Sequence, residues 1–157
     1  MNILYLHGLD SFPDPGKIEV LESRGHTVTS LQLEYRTQVD AFDIIHREAV
    51  KSETDYIVAS SVGGYYGYWL GHKLGVDQLL FNPAMPFRSV KVQDHNIHEK
   101  DNVGSYVVLG ANDEIIPSNL NVNYFSNKSN ARLLTCQWLG HRVDLQTFME
   151  MVNWAGL

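Results

Sequence analysis

Cysteine is almost missing from this chain. Cys136 stands alone among 157 residues, so no disulfide can close within it. Its setting, Leu133-Leu134-Thr135-Cys136, reads as a buried strand, and an inert core thiol is expected there. Basic residues are also scarce. Twelve Lys and Arg face 18 Asp and Glu, for a formal charge of −6, and no basic run breaks the balance. A nucleic-acid partner needs such a patch to displace counterions from the phosphate backbone, so that class is set aside. Long apolar runs are absent too: none approaches the roughly 20 residues that a spanning helix requires. The start, Met1-Asn-Ile-Leu-Tyr-Leu6, enters strand-like sequence without the charged leader and apolar stretch of a signal peptide. A cytoplasmic location is the expectation. Repeats, linkers and low-complexity tracts are lacking as well, which favours one domain over residues 1–157 with one core.

What the chain does contain is alternation. Apolar or β-rich runs at 3–6, 27–31, 56–59, 78–81, 105–109 and 131–137 predict six strands. Helical spacing predicts helices over 17–24, 39–50, from the corner after 59 to about 74, from 117 onward, and over 143–154. Gly25 and Gly75 stop two of them, and Pro117 suits a first helical turn. Residues 85–101 are the least regular and suggest a short lid or crossover loop. Strands alternating with helices imply an α/β fold with a doubly wound, mostly parallel six-stranded sheet and helices on both faces. Such sheets place their sites in the loops after the strands. Four of those loops carry His7-Gly8, Ser61, Asp113 and His141.

Ala59-Ser60-Ser61-Val62-Gly63 reads as G-x-S-x-G with alanine first. In that motif a strained strand-to-helix turn projects the central hydroxyl above the sheet, and small neighbours are needed where backbones crowd. Ser61 is therefore the candidate nucleophile, with Ser60 the weaker one. A serine hydroxyl needs a base in reach, and the base needs a third group to fix its tautomer. His141 and Asp113 supply these in the chain order serine, acid, histidine. The backbone amides of Val62 and Leu9 are placed to receive the oxyanion. His7, Gly8 and Tyr65 are candidates to border the substrate.

The chain resembles the YqiA-like esterases, small bacterial alpha/beta hydrolases. The likeness is carried by Tyr5-Leu-His-Gly-Leu-Asp-Ser11, Ser60-Ser-Val-Gly-Gly-Tyr-Tyr66, Phe81-Asn-Pro-Ala84 and Asn112-Asp-Glu-Ile115. It implies a strand order of 2-1-3-4-5-6 and a cofactor-free hydrolase acting on small, short-acyl carboxylic esters. By motif it places nucleophile, acid and base on Ser61, Asp113 and His141. The family has glycine at Ala59, usually asparagine at Asp10, and a longer lid than residues 85–101. An inward carboxylate at Asp10 would oppose the oxyanion, so it is expected to face solvent or to cap the next helix.

Other readings compete. Glu114 could replace Asp113 as the acid. His95 and His98 beside Asp94 and Glu99 resemble a metal cluster, but a polar loop explains them more simply, and no metal is expected. Tyr65, Tyr66, Tyr68 and Trp69 suit a core face, while His26, His46 and His72 look solvated. The same triad would also serve a thioesterase or an amidase, and the fold could persist in a binding protein without turnover. A flavodoxin-type cofactor binder is disfavoured, because His7-Gly8-Leu9-Asp10 has no phosphate-cradling glycines. Oligomeric state is not legible from the sequence.

Overall fold

A computed structural model describes residues 1–86, 88 and 96–157. Six strands form one sheet: β1 (Asn2–Leu6), β2 (Thr27–Ser30), β3 (Tyr56–Ser60), β4 (Asp77–Phe81), β5 (Ser105–Gly110) and β6 (Ala131–Cys136). Their order is β2-β1-β3-β4-β5-β6, and each neighbouring pair is parallel. The order reverses direction between β1 and β3, where an open parallel sheet offers a crevice at the strand ends.

Residues alternate between the two faces. Leu4, Leu6, Ile57, Ala59, Leu80, Val107 and Leu109 pack on one side. That side is covered by α2 (Ala41–Lys51), α3 (Ser61–Leu74) and α4 (Ser118–Phe125). Ile3, Tyr5, Val58, Leu79, Phe81 and Val108 pack on the other. There α1 (Pro15–Glu22) and α5 (Leu145–Ala155) bring Leu21, Phe148, Met151 and Val152. The apolar runs Ile3–Leu6, Tyr56–Ala59, Leu79–Phe81 and Val107–Leu109 are unbroken because both faces of these strands are covered. This is a doubly wound α/β sheet.

Helix α3 is the axis of the molecule, with eleven of its 14 residues buried. Its side against the sheet is flat. A Cβ on Gly63 would lie 2.2 Å from the His7 carbonyl oxygen, and one on Gly67 would lie 2.9 Å from the Ala59 Cβ. Both distances are shorter than carbon packing allows, so only glycine lets the helix sit this close. Gly75 ends α3 with φ 81, the left-handed stop that glycine adopts without steric cost.

Differences from the sequence reading sit at the ends. α1 begins two residues early, at Pro15, because the Asp14 carboxylate accepts from Gly16 N (2.9 Å) and Lys17 N (3.4 Å). Pro117 stands just outside α4, and Asp144 caps α5 by accepting from Thr147 N at 2.9 Å. His72 is not solvated. It is fully buried on α3, its ring 4.6 Å from that of Tyr68, and its Nδ1 accepts from Lys100 N at 2.9 Å. Burial lowers its affinity for a proton. Residues 87 and 89–95 of the expected lid at 85–101 lie outside the described residues, His95 and Asp94 among them.

Candidate active site

The loops that leave β1, β3, β4, β5 and β6 meet above the sheet. β3 runs straight into α3 with a single residue to turn on. Ser60 is extended (φ −135, ψ 149), and Ser61 takes φ 54, a left-handed conformation that side chains rarely adopt. The turn leaves Ser61 mostly buried but on the wall of two clefts, of about 320 and 310 Å³. The Ser61 carbonyl accepts from Ala84 N at 2.9 Å, which ties the turn to the end of β4.

Asp113 follows β5 and its side chain is fully buried. One carboxylate oxygen accepts from Ile115 N (2.9 Å) and Ile116 N (2.8 Å); the other faces His141 Nδ1 at 2.8 Å. The donor set leaves this carboxylate no freedom to rotate. Since an ionised carboxylate only accepts, Nδ1–H of His141 donates to it, which in the neutral imidazole leaves Nε2 an acceptor. Nε2 lies 3.1 Å from Ser61 Oγ. Ser61, His141 and Asp113 thus form one continuous hydrogen-bonded line from three separate strand ends. Glu114 is exposed and takes no part in it.

The remaining sequence candidates are distributed around this line. Leu9 and Val62 line the first cleft together with Ser61, and Gly8 lines the second. A Cβ on Gly8 would come within 3.1 Å of the Ser61 Cβ, so this glycine keeps the approach open. His7 is buried and occupied elsewhere. Its Nδ1–H donates to Gly8 O (2.7 Å), its Nε2 accepts from Leu33 N (3.0 Å), and its own carbonyl accepts from Tyr35 OH (2.9 Å). Its ring braces the first loop rather than lining either cleft. Burial pushes the ring's pKa down, in keeping with a neutral imidazole that donates at one nitrogen and accepts at the other. Tyr65 is buried in the core, with the Arg88 guanidinium 4.2 Å from its ring centroid. Asp10 faces solvent and binds Arg36 through two hydrogen bonds of 2.8 and 2.6 Å, which hold its carboxyl below the ordinary range. The helix cap considered for it falls to Asp14 instead.

Sequence reasoning treated Asn82 only as the close of a strand and part of a motif. Asn82 is buried with φ 43, and its amide joins three loops. Oδ1 accepts from Gly110 N at 2.7 Å, while Nδ2 donates to Gly140 O (2.9 Å) and His141 O (3.1 Å). It therefore fixes the backbone that carries His141 against the ends of β4 and β5. A polar residue immediately after the buried run Gln78–Phe81 was the available signal. Replacing Asn82 with alanine would leave an N–H and two carbonyls without partners. A loss of about 2 kcal/mol or more is expected in urea unfolding. An unchanged midpoint would show that the brace is dispensable.

A protein-family model matches residues 2–95, which is more than half of the chain. The chain belongs to the uncharacterised protein family UPF0227. This agrees with the resemblance to YqiA-like proteins carried by the motifs above. The matched span contains Ser61 and Asn82 and ends before Asp113 and His141. Among curated proteins, none matches. Solved structures give the fold. One is described as a hydrolase of the alpha/beta superfamily from Xanthomonas campestris pv. campestris. It is 20% identical, with a TM-score of 0.75 over 98% of this chain and 97% of that one. The monoacylglycerol lipase of Paleococcus ferrophilus is 13% identical, with a TM-score of 0.78 over 98% and 93%. Est1E from Butyrivibrio proteoclasticus with bound ferulic acid is 13% identical, with a TM-score of 0.74 over 99% and 86%. The UPF0227 chain thus has the alpha/beta hydrolase fold. Among its described residues no helix is long and apolar enough to cross a membrane, and no three His, Cys, Asp or Glu converge as for a metal.

Proposed function

We propose that this protein is a serine esterase acting on small carboxylic esters. The observation that carries the reading is the hydrogen-bonded line Asp113–His141–Ser61, with the nucleophile held in a left-handed turn at the amino end of α3. His141 Nε2 takes the proton as Ser61 Oγ attacks the acyl carbon, and Asp113 stabilises the imidazolium that forms. Charge develops on the carbonyl oxygen, which the amides of Val62 and Leu9 receive at a helix amino end. The imidazolium returns its proton to the departing alcohol, leaving an acyl-enzyme. Water, deprotonated by His141, then releases the acid and regenerates Ser61. No cofactor enters the cycle.

The cleft size supports short substrates. At about 320 Å³ the cleft lies at the lower limit for small-molecule sites. On a series of 4-nitrophenyl esters, kcat/KM is expected to peak at chains of a few carbons and to fall at least about tenfold by twelve carbons, where further methylenes find no wall to bury against. A rate that keeps rising with chain length would contradict a short acyl cleft. Thioesters and amides assayed beside the oxygen esters decide between leaving groups, and the oxygen ester is expected to be preferred.

A further inference from the structure

The first cleft at Ser61 is more basic than the chain around it. The chain has six arginines and a formal charge of −6, yet Arg36, Arg88 and Arg142 all line this one cleft. Asp10 is its sole acidic lining residue among the described residues, and Arg36 already neutralises it through two hydrogen bonds. Arg88 and Arg142 have no carboxylate within ion-pair distance among the described residues. Arg88 is also pre-oriented. Its guanidinium lies on the Tyr65 ring and donates to the carbonyls of Ala84 (3.2 Å) and Met85. Stacking and carbonyl contacts fix the plane of the group, so less freedom is lost when it meets a ligand. Arg142 follows His141 directly and lines both clefts. Two guanidinium groups beside a nucleophile, neither paired with a carboxylate among the described residues, suit a planar or tetrahedral oxyanion, which they bind through charge-assisted pairs. The apolar part of the same cleft, from Ala84, Ile115 and Ile116, suits a few methylenes.

We propose that the ester cleaved at Ser61 carries an anionic group, such as a carboxylate or a phosphate, held by Arg88 and Arg142. The inference rests on the esterase reading above. For a hemiester of a dicarboxylic acid, the acyl C–O bond breaks and water adds across it. The products are the free dicarboxylic acid and the alcohol. Positive potential over the cleft would also draw such a substrate toward an otherwise acidic protein.

The test compares kcat/KM for the 4-nitrophenyl hemiester of adipic acid with that for 4-nitrophenyl hexanoate. Wild type is measured beside Arg142→Gln, Arg88→Gln and Arg47→Gln, the last being an exposed arginine on α2 that changes net charge equally. Wild type is expected to prefer the hemiester. That preference is expected to fall about fivefold or more in each of the two cleft variants, as for loss of a charge-assisted pair at a partly open site. Arg47→Gln is expected to leave it unchanged. Inhibition of hexanoate hydrolysis by adipate or by inorganic phosphate tells which anion the site favours, and inhibition by neither would count against it. Equal hydrolysis of both esters would overturn the inference while the esterase reading stands. Calorimetry of adipate binding separates the opposite failure. If neither ester is cleaved but Arg142→Gln weakens adipate binding, the anion site survives and the esterase reading does not. If there is neither cleavage nor binding, both are overturned.

Discussion

Replacing Ser61 with alanine is expected to lower kcat toward short esters by about 10⁴–10⁶, with the fold intact, and His141→Ala is expected to do nearly as much. The two losses should not add, because serine and histidine act as one unit: either change removes the activated oxygen. What remains would come from the amides of Leu9 and Val62, which side-chain substitution leaves in place. Stability should move the other way at one variant. Ser61 has φ 54, where a side chain is strained and glycine is not. Ser61→Gly is therefore expected to be inactive yet about 1 kcal/mol more stable than Ser61→Ala in urea unfolding. Equal stabilities would mean that the elbow costs nothing to hold. Activity that survives in Ser61→Ala would remove the nucleophile from this position, and Ser60, on the wall of the neighbouring cleft, would be the next to substitute.

The second large effect is structural. Alanine at Gly63 would place its Cβ 2.2 Å from His7 O, 3.0 Å from Leu6 O and 3.1 Å from His7 C. All three obstacles are backbone of β1 and its loop, so no side chain can swing away. The His7 carbonyl is held by Tyr35 OH, and the ring by Gly8 and Leu33. Either α3 lifts from the sheet or the first loop shifts, and both carry Leu9 and Val62 with them. A loss of about 3 kcal/mol or more is expected. For a chain of this size that corresponds to a fall of roughly 6–12 °C in Tm. Activity should drop even in the fraction that stays folded. A near-native Tm would show that α3 is seated less closely than described. Gly25→Ala offers a contrast: nothing lies within 4 Å of its would-be Cβ, and only its φ of 83 opposes the change.

Much of this arrangement was legible because it is local. The run Tyr56 to Ala59, the small corner and the aromatic helix ending at Gly75 are read from adjacent residues, and they form β3, the turn and α3. Ser61, Asp113 and His141 could be gathered despite separations of 28 and 80 residues, because a parallel sheet brings every strand's end to one edge. Other features depended on partners that no spacing rule connects. Asn82 reaches Gly110, 28 residues on, and the Gly140–His141 backbone, 58 and 59 residues on. Asp10 finds Arg36 across two loops, 26 residues away. His72 has the sequence neighbours of a helix end, yet α3 is buried along most of its length, and the ring is buried against Tyr68. Helix starts shifted for a simpler reason. The caps at Asp14 and Asp144 act through side-chain oxygens, and a proline-rich approach concealed the first of them.

His7 stands next to the Ser61 clefts, and its ring holds backbone rather than lining either of them. Sequence position put it among candidates for the substrate border, and its ring is instead spent on Gly8 and Leu33. The loop that carries Leu9 is thereby fixed from behind. Asn82 does the same for the loop that carries His141. Both buried polar groups hold backbone, and on the proposed reading that backbone would support the oxyanion and the imidazole.

The most direct measurement is labelling of the folded protein with a fluorophosphonate, followed by peptide mass mapping of the adduct. One adduct on Ser61, lost in both Ser61→Ala and His141→Ala, is the predicted result and would establish a serine activated by its histidine. A folded wild-type protein that takes no label, or an adduct that persists after Ser61→Ala, would contradict a nucleophile at the turn into α3.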